Sequence, residues 1–211
     1  MPLRVSQLNW IKVLAHGLAF VPLMWLVYAA FTRQLGGDPQ EKVLHELGLW
    51  GLIFLLLSLS MTPARYVYRK VPWIKFRRML GLYSAFYVSL HLFIFFAFYL
   101  VFDFSQLLDE IWGRPYITVG ILAFLGLLPL VFTSTKNAQR KLGRKWKLLH
   151  QLVYPIAVLA LVHFIWQSKS DLNEPLLYVL WAIVLVVVRL MIRTKLRQPL
   201  NSGAATKKLS D

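Results

Sequence analysis

The sequence predicts an all-α integral membrane protein, a bundle of six transmembrane helices with both ends in the cytoplasm. Of its 211 residues, 58% are hydrophobic and only 16% carry charge, whereas about a quarter of the residues of an ordinary soluble domain are charged. Six apolar stretches are long enough to cross a bilayer, which takes about 20 residues per helix. The Lys and Arg residues are concentrated in alternate connections between these stretches.

Short connections separate the six predicted spans. The spans cover about residues 10–31, 46–62, 79–101, 115–133, 148–167 and 175–192. We therefore assign residues 10–192 to one six-span domain and residues 1–9 to a cytoplasmic N-terminus. Residues 193–211 are predicted to be a basic, disordered cytoplasmic tail, because they are mainly small, polar and basic. No small-residue cleavage site follows the first apolar run, so span 1 is predicted to be retained.

The distribution of charge gives the orientation. Twenty of the 24 basic residues lie near the N-terminus, in the second and fourth connections, or at and after the end of span 6. The other three connections hold four basic residues and, together with Glu46 at the outer start of span 2, eight of the nine acidic ones. By the positive-inside rule, residues 63–78 and 134–147 are cytoplasmic, and residues 32–45, 102–114 and 168–174 face outward. Topology and contact with anionic membrane lipid thus explain the net charge of +15, and nucleic-acid binding is not predicted.

The polar residues inside the spans are mainly histidines. The chain has no cysteine, which excludes thiolate metal sites and Fe–S clusters. No span carries an acidic residue at depth, which argues against a proton pump or cation transporter. Imidazoles on facing helices without carboxylates are typical of haem ligands, although a histidine can also serve as a polar contact between helices. Four histidines lie well inside spans and one at the outer end of span 2, respectively His16, His91, His150, His163 and His45.

The topology assigns depths to these histidines. Span 5 runs outward, so His163 lies about 20 Å beyond His150 at 1.5 Å per residue. His91 is predicted at the level of His163, and the two are the candidate axial pair of an outer haem. His150 lies near the cytoplasmic side, where His16 is the only other histidine. The two histidines of span 5 are about 140° apart on an ideal helix, and Pro155 between them could kink or rewind the span.

Arg77 and Arg78 lie at the cytoplasmic end of span 3, at the depth of His150. They could neutralise haem propionates or bind the phosphate of an anionic flavin. They could equally be ordinary positive-inside anchors. The chain has no Gly-rich nucleotide loop, so motifs do not locate a flavin site.

Three segments of the sequence resemble a known family. They are KFRRMLGLYSAFYVSLH (75–91), RPYITVGILAFLGLLPLVFTSTKNAQRKLGRKWKLLHQLVY (114–154) and AVLALVHFIW (157–166). They are similar to the MsrQ family, formerly YedZ, the haem-binding membrane subunits of bacterial MsrPQ methionine-sulfoxide reductase systems. That family belongs to the ferric-reductase-like transmembrane superfamily, related to the membrane part of NADPH oxidases.

The resemblance implies a b-type cytochrome of the bacterial inner membrane that binds one or two haem b groups and FMN. The superfamily pattern is two histidines on each of two helices, of which His91, His150 and His163 are present as implied iron ligands. It also implies an electron-transfer subunit without a substrate-converting site of its own. Electrons would pass from the quinone pool or a cytosolic flavin reductase to MsrP, a periplasmic molybdopterin enzyme that repairs oxidised proteins.

Two alternatives stay open at this point. The first is another transmembrane electron carrier of the ferric-reductase-like type. The second is a small transporter whose histidines are structural. A transporter is expected to show inverted repeats or spans broken by Gly and Pro near the midplane, and Pro22, Pro129 and Pro155 are weak indications of such breaks.

Overall fold

The computed structural model describes residues 5–68, 71, 73–168 and 171–207, and within these the chain is helical without any strand. The helices are α1 Val5–Phe31, α2 Pro39–Val67, α3 Ile74–Ile94, α4 Phe104–Gly113, α5 Pro115–Phe132, α6 Lys136–Leu142, α7 Arg144–Leu149, α8 Val153–Gln167 and α9 Asn173–Lys207. A π-helical turn, Phe95–Tyr99, extends α3, and a 3₁₀ turn, His150–Leu152, joins α7 to α8. The predicted all-α, six-span fold class is confirmed.

Six segments of the described chain are long and apolar enough to cross a membrane, and each overlaps one predicted span. They are Trp10–Phe31, Pro39–Val67, Ile74–Tyr99, Pro115–Phe132, Arg144–Gln167 and Asn173–Thr194. Span 2 begins earlier than predicted because Asp38 caps the helix by accepting a hydrogen bond from the Glu41 amide, 3.0 Å, with Pro39 in the first turn. At the other end, α9 continues to Lys207, where the sequence predicts a disordered tail. Residues 208–211 of that tail lie outside the described residues.

Helix α2 is the centre of the bundle. In its apolar window 56% of the residues are buried, against 11–22% in the other five spans. It packs most extensively on α3 and also contacts α1, α8 and α9. The Ser84 hydroxyl donates to the Gly51 carbonyl at 2.8 Å, a close approach of two backbones that a small residue permits. The outer faces of α1 and α9 carry exposed apolar side chains, as expected of lipid-facing helices.

Helix α1 is attached to α3 by the fully buried Tyr87. The Tyr87 hydroxyl donates to the Ala19 carbonyl at 2.7 Å and accepts from the Leu23 amide at 3.3 Å. These two backbone groups are partners in one helical turn, next to Pro22, which cannot donate a backbone hydrogen bond. A side chain of α3 therefore inserts into the backbone of α1 at the turn that proline weakens.

Replacing Tyr87 by phenylalanine is expected to lower the thermal midpoint of the detergent-solubilised protein. Hydrogen bonds between membrane helices contribute about 0.6 kcal/mol on average and up to about 1.7 kcal/mol, and Tyr87 makes two of them. The matched control is Tyr28→Phe, because the Tyr28 ring is exposed at 53%. Equal midpoints for the two variants would show that Tyr87 does not hold α1 in place.

The outward connection after span 3 contains an amphipathic helix, which the sequence analysis did not predict. Asp103 caps α4 by accepting from the amide and the hydroxyl of Ser105, at 2.9 and 2.6 Å, and these bonds hold the pKa of the Asp103 carboxyl below its usual range. Phe104, Leu108 and Trp112 follow each other at four-residue intervals and are all exposed. Such a helix is suited to lie in the plane of the membrane surface.

Candidate functional site

His91 of α3 and His163 of α8 meet in the outer half of the bundle, as their equal predicted depths require. Their ring centroids are 6.2 Å apart and the ring planes are nearly perpendicular, at 83°. Bonds between imidazole nitrogen and a metal are about 2.0 Å long and the ring centroid lies about 1.1 Å behind that nitrogen, so two imidazoles on opposite sides of one iron have centroids about 6.2 Å apart. The spacing of His91 and His163 matches this arrangement.

Each of these histidines is oriented by a backbone carbonyl of the preceding span. His91 Nδ1 lies 2.8 Å from the Leu44 carbonyl oxygen, and His163 Nδ1 lies 2.7 Å from that of Tyr116. Since a carbonyl oxygen only accepts, Nδ1 carries the proton in both rings. This tautomer leaves the lone pair of Nε2 for a metal, and a hydrogen bond from the second ring nitrogen is usual for metal-bound histidine.

A glycine faces each of the two rings. A Cβ added at Gly48 would lie 3.0 Å from His91 Nδ1, and one added at Gly120 would lie 2.9 Å from His163 Nδ1 and Cε1. Any larger residue at these positions would push the imidazole aside. Each histidine therefore has a backbone hydrogen-bond acceptor and a glycine on the neighbouring helix that leaves space for its ring.

These contacts reveal an internal repeat. Tyr116, Gly120 and His163 each lie 72 residues after Leu44, Gly48 and His91, respectively. Spans 2 and 3 thus correspond to spans 4 and 5, and corresponding spans run in the same direction. The two copies of the repeat therefore have the same orientation in the membrane. The transporter hypothesis predicts an inverted repeat instead.

Two imidazoles suit haem better than a bare ion. Among the described residues, no group of three or more His, Asp or Glu side chains could hold a metal ion. Haem iron needs only two axial ligands from the protein, since the macrocycle supplies the other four. The donor set, tautomers and spacing of His91 and His163 therefore fit a bis-histidine haem.

His150 lies at the cytoplasmic end, in the 3₁₀ turn. Its ring stacks on Trp146 with centroids 4.0 Å apart, and its Nδ1 lies 3.2 Å from the Trp146 carbonyl oxygen. The tighter 3₁₀ winding brings His150 and His163 to about 80° apart around the helix instead of about 140°. The rewinding that Pro155 suggested thus occurs just before that proline.

The repeat breaks at this level. Position 78, which corresponds to His150, is occupied by Arg78. Helix α3 contains no 3₁₀ turn. Arg78 therefore points in a different direction around its helix axis, relative to His91, than His150 does relative to His163. The Arg77 carbonyl accepts a hydrogen bond from the Ser58 hydroxyl at 2.8 Å, and Arg189 donates to the carbonyl of the next residue, Leu59. The two arginines therefore lie at the same cytoplasmic end of the bundle as His150.

Arg189 is a polar residue of the interior that the sequence analysis assigned only to the basic cytoplasmic edge. Its guanidinium donates to the Tyr154 hydroxyl and to the Leu59 carbonyl. That carbonyl is free because the residue four positions later is Pro63, which has no amide hydrogen. Arg189 Nε and Thr62 Oγ1 are buried without a hydrogen-bond partner among the described residues. The signal available in the sequence was the Pro63 break opposite a span-6 arginine.

The structure does not pair His16 with His150. The His16 Nδ1 lies 2.6 Å from the Tyr83 hydroxyl, on the side of α3 that faces α1. His16, Tyr83 and Arg78 line one cleft between α1 and α3. The two candidate residues His16 and Arg78 therefore belong together, apart from Arg77 and His150.

At the outer end of the bundle, His45 and Gln167 join α2 to α8. The Gln167 amide donates to His45 Nε2 at 2.6 Å. His45 is the neighbour of Leu44, which holds His91, and Gln167 lies one turn beyond His163. This bridge therefore covers the outer side of the histidine pair.

The chain is similar to known proteins over most of its length. Residues 18–161 match the family model of the ferric reductase like transmembrane component. A protein of Xanthomonas euvesicatoria pv. vesicatoria, named protein-methionine-sulfoxide reductase heme-binding subunit MsrQ, is 46% identical over 177 residues, 79% of each chain. A protein of the same name from Cronobacter sakazakii is 41% identical over 199 residues, 94% of this chain and 98% of its own.

Proposed function

Because the chain belongs to the MsrQ family, within the ferric-reductase-like transmembrane proteins, we propose that it is the haem-binding electron-transfer subunit of a methionine-sulfoxide reductase system. It carries electrons across the bacterial inner membrane from a donor on the cytoplasmic side, quinol or a flavin reductase. The acceptor is a periplasmic molybdopterin reductase, MsrP, that repairs oxidised proteins. This proposal rests on one observation: His91 and His163 lie close together, and each is hydrogen-bonded to a backbone carbonyl and packed against a glycine.

His91 and His163 would hold haem b at the outer site. Bound haem supplies one-electron chemistry, with its iron alternating between the ferric and ferrous states. The two carbonyl acceptors fix the tautomers, which leave the lone pair of each Nε2 available as an iron ligand. They also raise the basicity of the imidazoles, which favours the ferric state. Gly48 and Gly120 leave the space in which the two rings lie.

The cytoplasmic site is built differently, with His150 as its one histidine ligand. Arg77 and Arg189 lie at the same end of the bundle, away from the acidic residues of the spans, which all lie near the outward end. Two propionates would satisfy these charges and the unpartnered Arg189 Nε. We therefore propose a second haem here, with His150 on one side of the iron. FMN is proposed as a further cofactor on the likeness to the family alone.

The outward surface is suited to a partner protein. Around the His45 and Gln167 bridge it carries Asp38 and Glu41, and the basic Lys42 is neutralised by Glu46 at 2.8 Å. Surface charge of one sign accelerates association with a partner of the opposite sign and loses its effect in high salt. This surface is proposed as the docking site of the periplasmic reductase.

The proposed function is tested with the purified protein and its periplasmic reductase. A pyridine haemochrome assay is expected to give haem b, and chemically reduced protein is expected to be reoxidised by the reductase with methionine sulfoxide. The double variant Asp38→Asn, Glu41→Gln should slow reoxidation several-fold at low salt only, because Asn preserves the helix cap. Its control is Lys136→Gln, Lys141→Gln on the opposite face. Absence of haem, or no reoxidation, would refute the proposal.

A further inference from the structure

A cleft between α1 and α3 has the properties of a lipid site. It has a volume of about 430 Å³ and opens toward the membrane. Three cations stand at its cytoplasmic end, the His16 and Tyr83 pair lies in the middle, and apolar side chains line the outer part. The cations are Lys12, Lys75 and Arg78, and the apolar residues are Phe20, Met79, Leu82 and Phe86.

The lining changes in order along the membrane normal. On α1, Lys12, His16 and Phe20 lie one turn apart on the same face. On α3, the distance from Lys75 to Phe86 is about 16 Å at 1.5 Å per residue. The cleft thus runs from charged through polar to apolar over the depth of half a bilayer core.

The open side of the cleft is apolar. Phe20, Leu82 and Phe86 are exposed at 42%, 36% and 37%, at a depth where the surrounding medium is hydrocarbon. A ligand that fills the cleft must therefore present an apolar body to these residues and an anion to the three cations. Among the described residues no acidic side chain lines the cleft, so a bound ligand would have to supply the anion.

We propose that this cleft binds one anionic phospholipid of the cytoplasmic leaflet. Its phosphate is held by Lys12, Lys75 and Arg78, its glycerol esters lie at the level of His16 and Tyr83, and one acyl chain lies on Leu82 and Phe86. Basic pockets between transmembrane helices on the cytoplasmic side are suited to such headgroups. A flavin mononucleotide offers the same phosphate, but its polar ring system does not match the apolar outer part.

The lipid would also support α1. This helix has few contacts with the bundle beyond α2 and the Tyr87 and Tyr83 hydrogen bonds. An acyl chain in the cleft fills the space between α1 and α3. Bound anionic lipid is therefore expected to raise the thermal midpoint of the protein.

The test compares two triple variants of equal charge change. Lys12→Gln, Lys75→Gln, Arg78→Gln removes the cations of the cleft, and Lys136→Gln, Lys141→Gln, Arg144→Gln removes three exposed cations of the same membrane face. Delipidated proteins are titrated with phosphatidylglycerol and phosphatidylcholine and followed by native mass spectrometry and thermal shift. Each cation contributes about a five-fold preference for anionic lipid, so the cleft variant should lose roughly 100-fold in phosphatidylglycerol affinity and the control little.

A second variant and a second ligand separate the sources of the phosphate. Leu82→Trp fills the acyl groove without changing charge and should weaken phosphatidylglycerol binding while leaving inorganic phosphate binding unchanged. Equal lipid binding by the two triple variants would overturn the proposal. So would flavin mononucleotide binding that disappears in the cleft variant while phosphatidylglycerol binding persists. None of these readouts depends on bound haem.

Discussion

The protein with His163 replaced by alanine is expected to bind no haem at the outer site and to keep the cytoplasmic one. In the proposed site His163 would provide one of the two iron-binding nitrogens, and His91 would provide the other. Removal of an iron ligand should cost more than the 10- to 100-fold that loss of an outer hydrogen bond typically costs in metal affinity. Because of the internal repeat, His91→Ala should give the same loss. Haem content per chain and the Soret absorbance measure both.

The spectroscopy of the two variants distinguishes ligand loss from misfolding. The nearly perpendicular rings, at 83°, should give the oxidised wild-type protein a highly anisotropic low-spin electron paramagnetic resonance signal, which both variants should lack. His45→Ala is the matched control, since His45 lies beside the site and bonds Gln167 instead of facing the pair. Retention of that signal in His163→Ala would exclude His163 as an axial ligand.

The pattern of apolar and basic residues was enough to predict the spans and the common level of His91 and His163. Those features depend on the bilayer, which imposes length and charge on every helix alike. His91 and His163 could be matched because both spans run outward from the cytoplasm. Their role as iron ligands stays a prediction that the geometry supports.

The contacts around the histidines could not be predicted in the same way, because they depend on the rotation of each helix. Composition does not indicate that His16 faces Tyr83 of α3 while His150 stacks on Trp146. A 3₁₀ turn of three residues is enough to change the direction of His150, and its position before Pro155 has no distinct sequence pattern. From the sequence alone, Arg189 could not be distinguished from a basic residue that only sets the topology. The structure shows that it donates to the Leu59 carbonyl, which has no helical partner because Pro63 lacks an amide hydrogen.

The internal repeat is visible in the sequence and could have predicted the glycines that lie against the two histidines. A glycine lies 43 residues before His91 and another 43 residues before His163. Each glycine lies four residues after the residue whose carbonyl accepts the hydrogen bond from the histidine. The glycine and that residue are therefore one turn apart on the same face of the helix. Glycine there is required by the closeness of the ring and not by backbone conformation, which is helical at both positions.

Substitution of Gly120 by alanine should therefore disturb the outer haem without touching a ligand. The new Cβ would lie 2.9 Å from His163 Nδ1, so the ring must move and its hydrogen bond to the Tyr116 carbonyl must lengthen. Loss of such an outer interaction costs about 10- to 100-fold in metal affinity. The expected result is reduced haem content or an altered low-spin signal.

Gly126→Ala is the matched control, because Gly126 lies in the same helix α5 and faces an aliphatic side chain at a similar distance. Its Cβ would lie 3.0 Å from Ile156 Cγ1, and Ile156 is not one of the proposed iron ligands. Both substitutions gain the same helix propensity, about 1 kcal/mol, so that contribution cancels in the comparison. Gly126→Ala should change the thermal midpoint and leave the haem spectrum as in the wild type. If Gly120→Ala also kept the wild-type haem content and signal, the glycine would not be what positions His163, and the carbonyl alone would have to orient the ring.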